Sequence, residues 1–396
     1  MTLAEDWSLR SDSYRDALVQ TTMPFWLDHC VDRSGGGFFS FLDQEGECYE
    51  TDKSGWVQGR FTWLLSKLCT DFDGPEEWRS AAEHGVRFIR EHGYTPDRRL
   101  WFMMNREGAG LRKRRYAYTE FFASMALGQW SKLANDESAA TESERLFLLA
   151  CTDMRTNGAR GPGKLESARM AQSLGVPMIT LGAAHALEGC VDSDAIARER
   201  RAAIAKIQAD FVHPETGCLL ECVGAHGEYL DHVDGRQVNP GHAIEAAWFL
   251  MEECRRRPNQ ELLALALRVL DSAWELGWDE EHGGLFSLVD ISGAPNQDVS
   301  AELKYWWPHC EAIIAFLYAA LLTGSSTYSE RWRIVHDWAH EHFVDTQNGE
   351  WFGYLRRDGS VMNSAKGNLW KGPFHVPRMQ FMAADLCSAL AAKEAE

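Results

Sequence analysis

Short turns recur along the chain at a nearly constant interval, and this periodicity constrains the fold more than any other feature of the sequence. Each turn is rich in glycine or polar residues and leads into a short aromatic run typical of a β-strand. Five such segments lie at residues 35–39, 99–102, 217–220, 283–286 and 349–352. They are about 65 residues apart, except for one interval about twice as long, so a sixth, degenerate member is expected near residues 157–161. Six similar units account for the 396 residues.

Helical periodicity fills the intervals between the turns, with two helices in each unit. The predicted helices cover residues 13–30, 55–70, 77–92, 117–134, 141–153, 168–189, 194–211, 240–256, 260–277, 304–323, 328–343 and 377–393. The strand-like runs fall between the first and second helix of a unit, and none is long enough for a central sheet. The second helices carry few charges, which favours their burial as an inner ring. We therefore predict an all-α (α/α)6 barrel, one domain over residues 1–396 with short β-hairpins at one end; an open helical solenoid is the alternative.

Composition argues against several classes of function. The chain has 40 Lys and Arg residues and 58 Asp and Glu residues, so its net charge is −18. A protein this acidic is unsuited to binding the phosphates of nucleic acids or an anionic membrane surface. No apolar run approaches the ~20 residues that span a bilayer, and the first residues lack the features of a signal peptide. The ten cysteines are scattered, as free thiols of a reducing compartment would be. We expect a cytoplasmic protein without a nucleic-acid or membrane partner.

Tryptophan is unusually frequent, with 16 residues in the chain. Such side chains fill large cores, and they also line pockets that stack on the flat faces of sugars. Composition leaves both interpretations open.

Closure of the ring would bring the N-terminal ends of the second helices together at one mouth. These ends are unusually polar for buried helices. The polar and aromatic residues there are Trp56, Gln58, Arg60, Tyr116, Glu120, Asn239, His242, Glu245, Trp306, Trp307, His309, Glu311, Phe374, His375 and Arg378. Buried charges are costly unless they are paired, so this convergence suits an active site better than a core. Helix N-termini would also favour an anionic intermediate.

One pair of these residues has a spacing that suits catalysis. His242 and Glu245 are three positions apart on a predicted helix and therefore share a face. The carboxylate can then orient the imidazole and raise its basicity. The pair could instead ligate a metal, but no third and fourth ligand with suitable spacing lies nearby, so we expect no metal.

Four motifs at these helix starts resemble those of the N-acylglucosamine 2-epimerase (renin-binding protein) family. They are residues 56–60, 239–245, 306–311 and 371–378. The motifs occur in the right order, and the resemblance extends over nearly the whole chain. The family has an (α/α)6 barrel, in agreement with the count of six units. Its members interconvert N-acetylglucosamine and N-acetylmannosamine, and relatives act on cellobiose, mannose, glucose or sulfoquinovose.

The resemblance implies that His242 and His375 are the acid–base pair, with Arg60 beside them. It places three further residues around the substrate, which are Glu245, His309 and Glu311. The other residues at the helix starts are candidates for substrate binding. Met178 resembles the methionine of the acylglucosamine branch, where the mannose and cellobiose enzymes have histidine, and this favours an N-acetylated substrate.

The resemblance also bears on regulation and assembly. Some members respond to nucleotides, and the glycine-rich residues 158–164 are similar to a family loop near the pocket. A possible nucleotide activator and a possible homodimer are expectations from the family alone, and no cofactor is expected. Cys310 departs from the family pattern, in which we expect serine.

The chemistry follows from what inversion at C2 requires. The C2 proton is acidic only when the sugar ring is open, so one histidine would remove it to leave a cis-enediolate and the other would protonate the opposite face. Arg60 would stabilise the oxyanion, while Trp306, Trp307 and Phe374 would pack on the apolar face of the sugar. Protonation at C1 would instead give an aldose–ketose isomerase, so isomerisation and epimerisation of unsubstituted sugars stay alternatives. A glycoside hydrolase, which needs two carboxylates flanking a bond, and a non-catalytic binding protein are further alternatives.

Overall fold

Helices and short hairpins alternate in the computed structural model, which describes residues 2–72, 74–113, 117–157 and 171–395. The inner helices are α3 (Gly55–Asp71), α5 (Tyr118–Ala134), α7 (Gly175–Leu187), α9 (Pro240–Arg256), α11 (Trp306–Thr323) and α13 (His375–Ala395). The outer helices are α1 (Leu3–Ala17), α2 (Met23–His29), α4 (Glu76–His92), α6 (Glu137–Asn157), α8 (Asp194–Lys206), α10 (Gln260–Gly277) and α12 (Ser326–Phe343). A π-helical turn over Leu18–Thr22 joins α1 to α2, and another over Ile207–Phe211 extends α8.

The inner helices form a closed ring. From α3 to α13, each inner helix packs against the next one, and α1 packs against α13. The ring closes where the rings of Phe374, just before α13, and Trp63 on α3 lie 5.7 Å apart. Leu42 and Gly367 form an antiparallel bridge that also joins the beginning and the end of the barrel. The predicted (α/α)6 barrel is confirmed, and the open solenoid was wrong.

Apolar patterning explains which helices lie inside. In α11, Glu311 is the sole charged residue, and residues 308–320 are all buried. A helix that is apolar on every side is stable only when surrounded by protein. Outer helix α4 buries a stripe that includes Trp78, Val86 and Ile89, while its charged residues occupy the opposite face.

Short antiparallel strands tie the units together at the ends where the inner helices begin. The strands are β1 (Phe41–Leu42), β2 (Cys48–Glu50), β3 (Lys53–Ser54), β4 (Met103–Met104), β5 (Gly110–Arg112), β6 (Ala171–Ser173), β7 (Cys222–Gly224), β8 (Gln237–Val238), β9 (Val289–Asp290), β10 (Lys304–Tyr305), β11 (Tyr354–Leu355) and β12 (Val361–Asn363). They pair as β1–β2, β3–β4–β5, β6–β7, β8–β9 and β10–β11–β12. Because β3 leads directly into α3 and pairs with β4 of the next unit, the sheets hold neighbouring helix starts side by side.

Isolated bridges mark the recurring turns. They are Val31–Phe38, Tyr94–Leu100, Val212–Leu219, Trp278–Leu285 and Val344–Trp351. Each coincides with one of the five turns predicted from the sequence, while the expected sixth member falls largely on residues outside the described ones. The predicted helices are confirmed with two main differences: the first begins at Leu3 rather than residue 13, and α7 begins at Gly175 because β6 precedes it.

Buried lysines fasten three of the turns to the hairpins that follow them. The ion pairs are Lys53–Asp32, Lys304–Asp279 and Lys366–Asp345, each with an N···O distance of 3.0 Å. In the Lys304–Asp279 pair, Lys304 also donates to the Gly284 carbonyl, and Arg357 of the next unit donates to Asp279. Burial lowers the pKa of Lys304 to about 8, although Asp279 opposes the shift. We call these three pairs the lysine clamps.

We expect Asp279→Asn to lower the free energy of unfolding by about 3–5 kcal/mol, because loss of one partner leaves a buried charge uncompensated. Urea unfolding followed by circular dichroism measures the change. Asp358→Asn, at an exposed hairpin turn, is the matched control and should leave the midpoint unchanged. Equal midpoints for the two variants would contradict a stabilising role for the clamp.

The structure bears on two features expected from the sequence, the lack of a membrane-spanning helix and the presence of free cysteines. No helix within the described residues is long and apolar enough to cross a membrane. All ten cysteines are free, and Cys30, Cys151, Cys218, Cys254, Cys310 and Cys387 are buried. The prediction of scattered free thiols is confirmed.

Candidate active site

A cavity of about 1030 Å³ runs along the axis of the barrel. Residues at helical spacing on the inner helices line it, so it follows α3, α7 and α9 along most of their length. The cavity brings together many of the residues singled out in the sequence, which are Trp56, Arg60, Met178, His242, Glu245, Trp306, Trp307, Phe374, His375 and Arg378. The two candidate imidazoles therefore line the same cavity.

His242 lies in the first turn of α9, where Asn239 caps the helix by accepting a hydrogen bond from the His242 backbone N–H at 3.1 Å. Its Nδ1 donates to Glu221 Oε1 at 2.9 Å, and because a carboxylate only accepts, Nε2 is left free for chemistry. Burial lowers the pKa of His242, but Glu221, with a smaller contribution from Glu245, outweighs burial and raises it above its ordinary value. The two carboxylates therefore stabilise the protonated form of this imidazole.

His375 is the first residue of α13 and is 8% exposed. Its Nδ1 donates to Glu311 Oε1 at 2.7 Å, which again leaves Nε2 free. Trp248 Nε1 donates to the other oxygen of Glu311 at 2.9 Å and fixes the carboxylate. Burial, Arg378 and Arg60 together hold the pKa of His375 well below its ordinary value. This imidazole favours its neutral form.

Glu245, Glu311 and His375 place potential metal-ligand atoms within 4.8 Å of one another. Arg378 lies at the same place: its Nη2 donates to Glu245 Oε1 at 3.2 Å and also bonds Glu311. The guanidinium therefore already supplies the positive charge that the two carboxylates require. The cluster is an ion-pair network that positions His375, and a bound metal would have to displace Arg378.

Arg60 is held by aromatic rings rather than by carboxylates. Its guanidinium lies 5.2 Å from the Trp56 ring, 4.2 Å from Phe122 and 4.8 Å from Phe374. Arg60 Nε has no hydrogen-bond partner among the described residues. Burial lowers the pKa of Arg60 to about 9, although Glu245 opposes the shift. The cavity thus contains a cation whose nearest neighbours leave it available to an anion.

Gln58, Glu120 and His309 lie outside the cavity, so the prediction that they contact a substrate is corrected. Each binds the backbone of a recurring turn instead. Gln58 accepts a hydrogen bond from the backbone N–H of Phe38, Glu120 accepts one from Leu100, and His309 accepts one from Leu285. His309 Nδ1 also donates to the Tyr305 carbonyl, and burial lowers the pKa of His309 to about 3. These side chains hold the helix starts to the turns.

Asn239 likewise acts as a helix cap and does not line the cavity, and Tyr116 lies outside the described residues. The sequence also assigned the wrong carboxylate to His242, since Glu221 binds it while Glu245 binds Arg378. Glu221 follows directly after the strand-like run at 217–220, a position that the periodicity could have indicated.

Aromatic residues beyond those singled out complete the walls. They are Trp63, Tyr118, Phe122, Trp248, Phe249, Tyr318, Trp370 and Phe381. Tryptophans therefore both line the cavity and fill the core, where Trp26 and Trp332 are buried.

Comparison with known proteins decides the family. The family model for N-acylglucosamine 2-epimerase (GlcNAc 2-epimerase) matches residues 37–375. An N-acylglucosamine 2-epimerase of Bos taurus is 33% identical over 380 residues, which cover 94% of this chain and 90% of the relative. The chain belongs to the N-acylglucosamine 2-epimerase family.

Other comparisons agree with the sequence resemblance. A human N-acylglucosamine 2-epimerase is 32% identical to this family member over 397 residues, which cover 98% of this chain and 92% of the relative. The solved structure of cellobiose 2-epimerase from Spirochaeta thermophila DSM 6192 aligns with a TM-score of 0.83 at 20% identity, over 98% of this chain and 99% of that chain. The latter likeness supports the barrel fold.

The structure predicts that Glu221→Gln lowers the pKa of His242, because the substitution removes the carboxylate charge that opposes the effect of burial. Titration of the His242 ring protons by NMR measures the pKa. Glu228→Gln, in the exposed hairpin nearby, is the control and should leave the His242 midpoint in place. An unchanged midpoint in Glu221→Gln would show that Glu221 does not set the charge of His242.

Proposed function

We propose that the protein is a carbohydrate epimerase that interconverts N-acetylglucosamine and N-acetylmannosamine by inversion at C2. Family membership supports the reaction. The observation that carries the proposal is the arrangement of two imidazoles, each held by its own carboxylate, around one cavity. The rings of His242 and His375 lie 5.0 Å and 5.9 Å from the ring of Trp307.

The opposite electrostatic environments of the two histidines assign one of them as the general base and the other as the general acid. The ring-opened sugar places its C2 proton between them. Neutral His375 removes the proton through Nε2, and protonated His242 delivers a proton from its Nε2 to the other face of C2. Microscopic reversibility assigns the opposite roles in the reverse direction, in which the enzyme starts with His375 protonated and His242 neutral.

The intermediate is a cis-enediolate, and Arg60 stabilises its negative charge. The guanidinium is available for this role because rings, rather than carboxylates, surround it. A cation held in place by the protein stabilises developing charge more strongly than the same cation in water. Glu311 and Glu245 orient His375 and Arg378, and no step of this mechanism uses a metal or a redox cofactor.

The proposal includes a location and an assembly state. Ten free cysteines support a reducing compartment such as the cytoplasm. The homodimer rests on the family alone. The glycine-rich residues 158–164 lie outside the described residues, so the nucleotide activator stays a prediction.

Incubation with N-acetylmannosamine in D₂O, followed by proton NMR, tests the reaction. We expect N-acetylglucosamine that carries deuterium at C2, because solvent supplies the proton returned to the enediolate. A parallel incubation with mannose tests the alternatives: a ketose product would indicate an isomerase, and glucose an epimerase of unsubstituted sugars. Unchanged sugars without deuterium in both tubes would contradict a catalytic role.

We expect His242→Ala and His375→Ala each to lower kcat by at least ~10²-fold, the usual contribution of a general acid or base. Initial rates with N-acetylmannosamine measure the effect. His226→Ala, at an exposed turn outside the cavity, is the control and should keep the wild-type rate. Near-normal rates in both cavity variants would remove the histidines from the mechanism.

A further inference from the structure

The barrel cavity continues far below the proposed reaction centre. On α3 it is lined from Trp56 in the first turn to Asp71 at the end of the helix, a depth of about 22 Å at 1.5 Å per residue. The candidate catalytic residues all lie in the first two turns of their helices, which we call the upper part of the cavity. An extended six-carbon chain spans only about 6 Å. The reacting sugar therefore leaves the lower part of the cavity free.

Apolar side chains surround the cavity two helical turns below the two histidines. Phe249 follows His242 by seven positions, and Met382 follows His375 by seven, so each lies about 10 Å deeper on the same face of its helix. The residues that form this apolar belt are Trp63, Met125, Ala183, Phe249, Phe381 and Met382. An apolar group that enters the belt is favoured, because its surface and that of the wall are both removed from water.

Charged residues line the cavity again below the belt. Lys67, Glu252 and Asp385 lie ten or eleven positions beyond the first lining residue of their helices, about 15 Å deeper. Each forms an ion pair with another side chain at that end of the barrel. An apolar ligand that covered these ions would remove their water without replacing its hydrogen bonds, which is costly. The belt is therefore an apolar compartment of limited depth.

One wall of the cavity is apolar from the upper part down to the belt. It consists of α5 and α7, whose lining residues within 122–125 and 176–183 are uncharged. The charged groups of the upper part, such as Glu245 and Arg378, belong to other helices. Met178 contributes a flexible, unbranched side chain that adapts to ligands of different shape. A substituent on C2 of the sugar can therefore reach the belt along apolar surface.

We propose that the apolar belt binds the acyl chain of N-acyl sugars, so that the protein accepts chains longer than acetyl, to at least about hexanoyl. The inference rests on the proposed function, since that function places C2 and its acylamino group between the two histidines. The seven bonds that follow C2 in a hexanoyl amide span about 8 Å, which reaches the belt. The chain is remote from the bonds that change and binds equally in the ground state and the transition state. It therefore lowers KM and leaves kcat nearly unchanged.

The experiment measures initial rates of epimerisation for three sugars, N-acetyl-, N-butanoyl- and N-hexanoylmannosamine. We expect KM to fall about fourfold for each added methylene, the effect of burying one CH₂ group, with kcat within about twofold. A KM that stays constant or rises with chain length in the wild type would overturn the role of the belt while the epimerase function stands. A wild type that does not epimerise N-acetylmannosamine would overturn the function, and the inference with it.

Met382→Gln tests whether the chain follows the proposed path, because it keeps the length of the side chain and adds an amide that the acyl chain would cover. We expect the ratio of KM for the acetyl sugar to KM for the hexanoyl sugar to fall at least about fivefold. Met362→Gln, 50% exposed on β12, is the matched control and should keep the wild-type ratio. An unchanged ratio in Met382→Gln would overturn the assignment to the belt. If that variant fails to fold, the chain-length series in the wild type decides alone.

Discussion

The site depends on the attachment of the inner helices to the turns behind them. Each candidate catalytic side chain lies near the start of an inner helix, so its position follows from how that start is held. Gln58, Glu120 and His309 bind turn backbones, and the lysine clamps fix three turns to their hairpins. These contacts bury polar groups that are fully paired, which is the condition under which a low-dielectric interior favours a unique geometry. Much of the polarity near the cavity therefore serves architecture rather than chemistry.

The second constraint is the separation of charge around the two imidazoles. Both histidines donate Nδ1 to a carboxylate, and this common contact would by itself make them alike. They differ because Arg378 and Arg60 lie close to His375, whereas Glu221 and Glu245 dominate around His242. A base that is neutral and an acid that is protonated at the same pH are what a two-base inversion requires. The environment, rather than the residue type, distinguishes the two proposed roles.

The sequence predicted the barrel well because periodic patterning reports directly on which helix faces are buried. It placed the first helix boundary wrongly because α1 has six charged residues among its fifteen and buries only Trp7 and Tyr14. It found the helix starts that form the site, but it could not tell which side chains turn toward the axis and which turn back to the loops. His309 is the fourth residue of α11 and His375 is the first residue of α13, and the tertiary contacts show which of the two faces the cavity. Glu221 escaped notice because it lies at the end of a recurring turn, just before β7, whereas the candidate residues were sought at the helix starts.

The seam between α1 and α13 has a consequence for how the molecule is made. Ser11 donates to the Ala384 carbonyl across 373 positions of sequence, and Leu42 bridges Gly367. Contacts this distant in sequence form late during folding, because the entropy of a long stretch of chain is lost before these contacts contribute stabilising free energy. During synthesis on the ribosome, the nascent barrel remains an open arc that carries His242 and lacks His375. The two imidazoles of the proposed acid–base pair therefore meet only when α13 docks, and a partly made chain lacks the complete cavity.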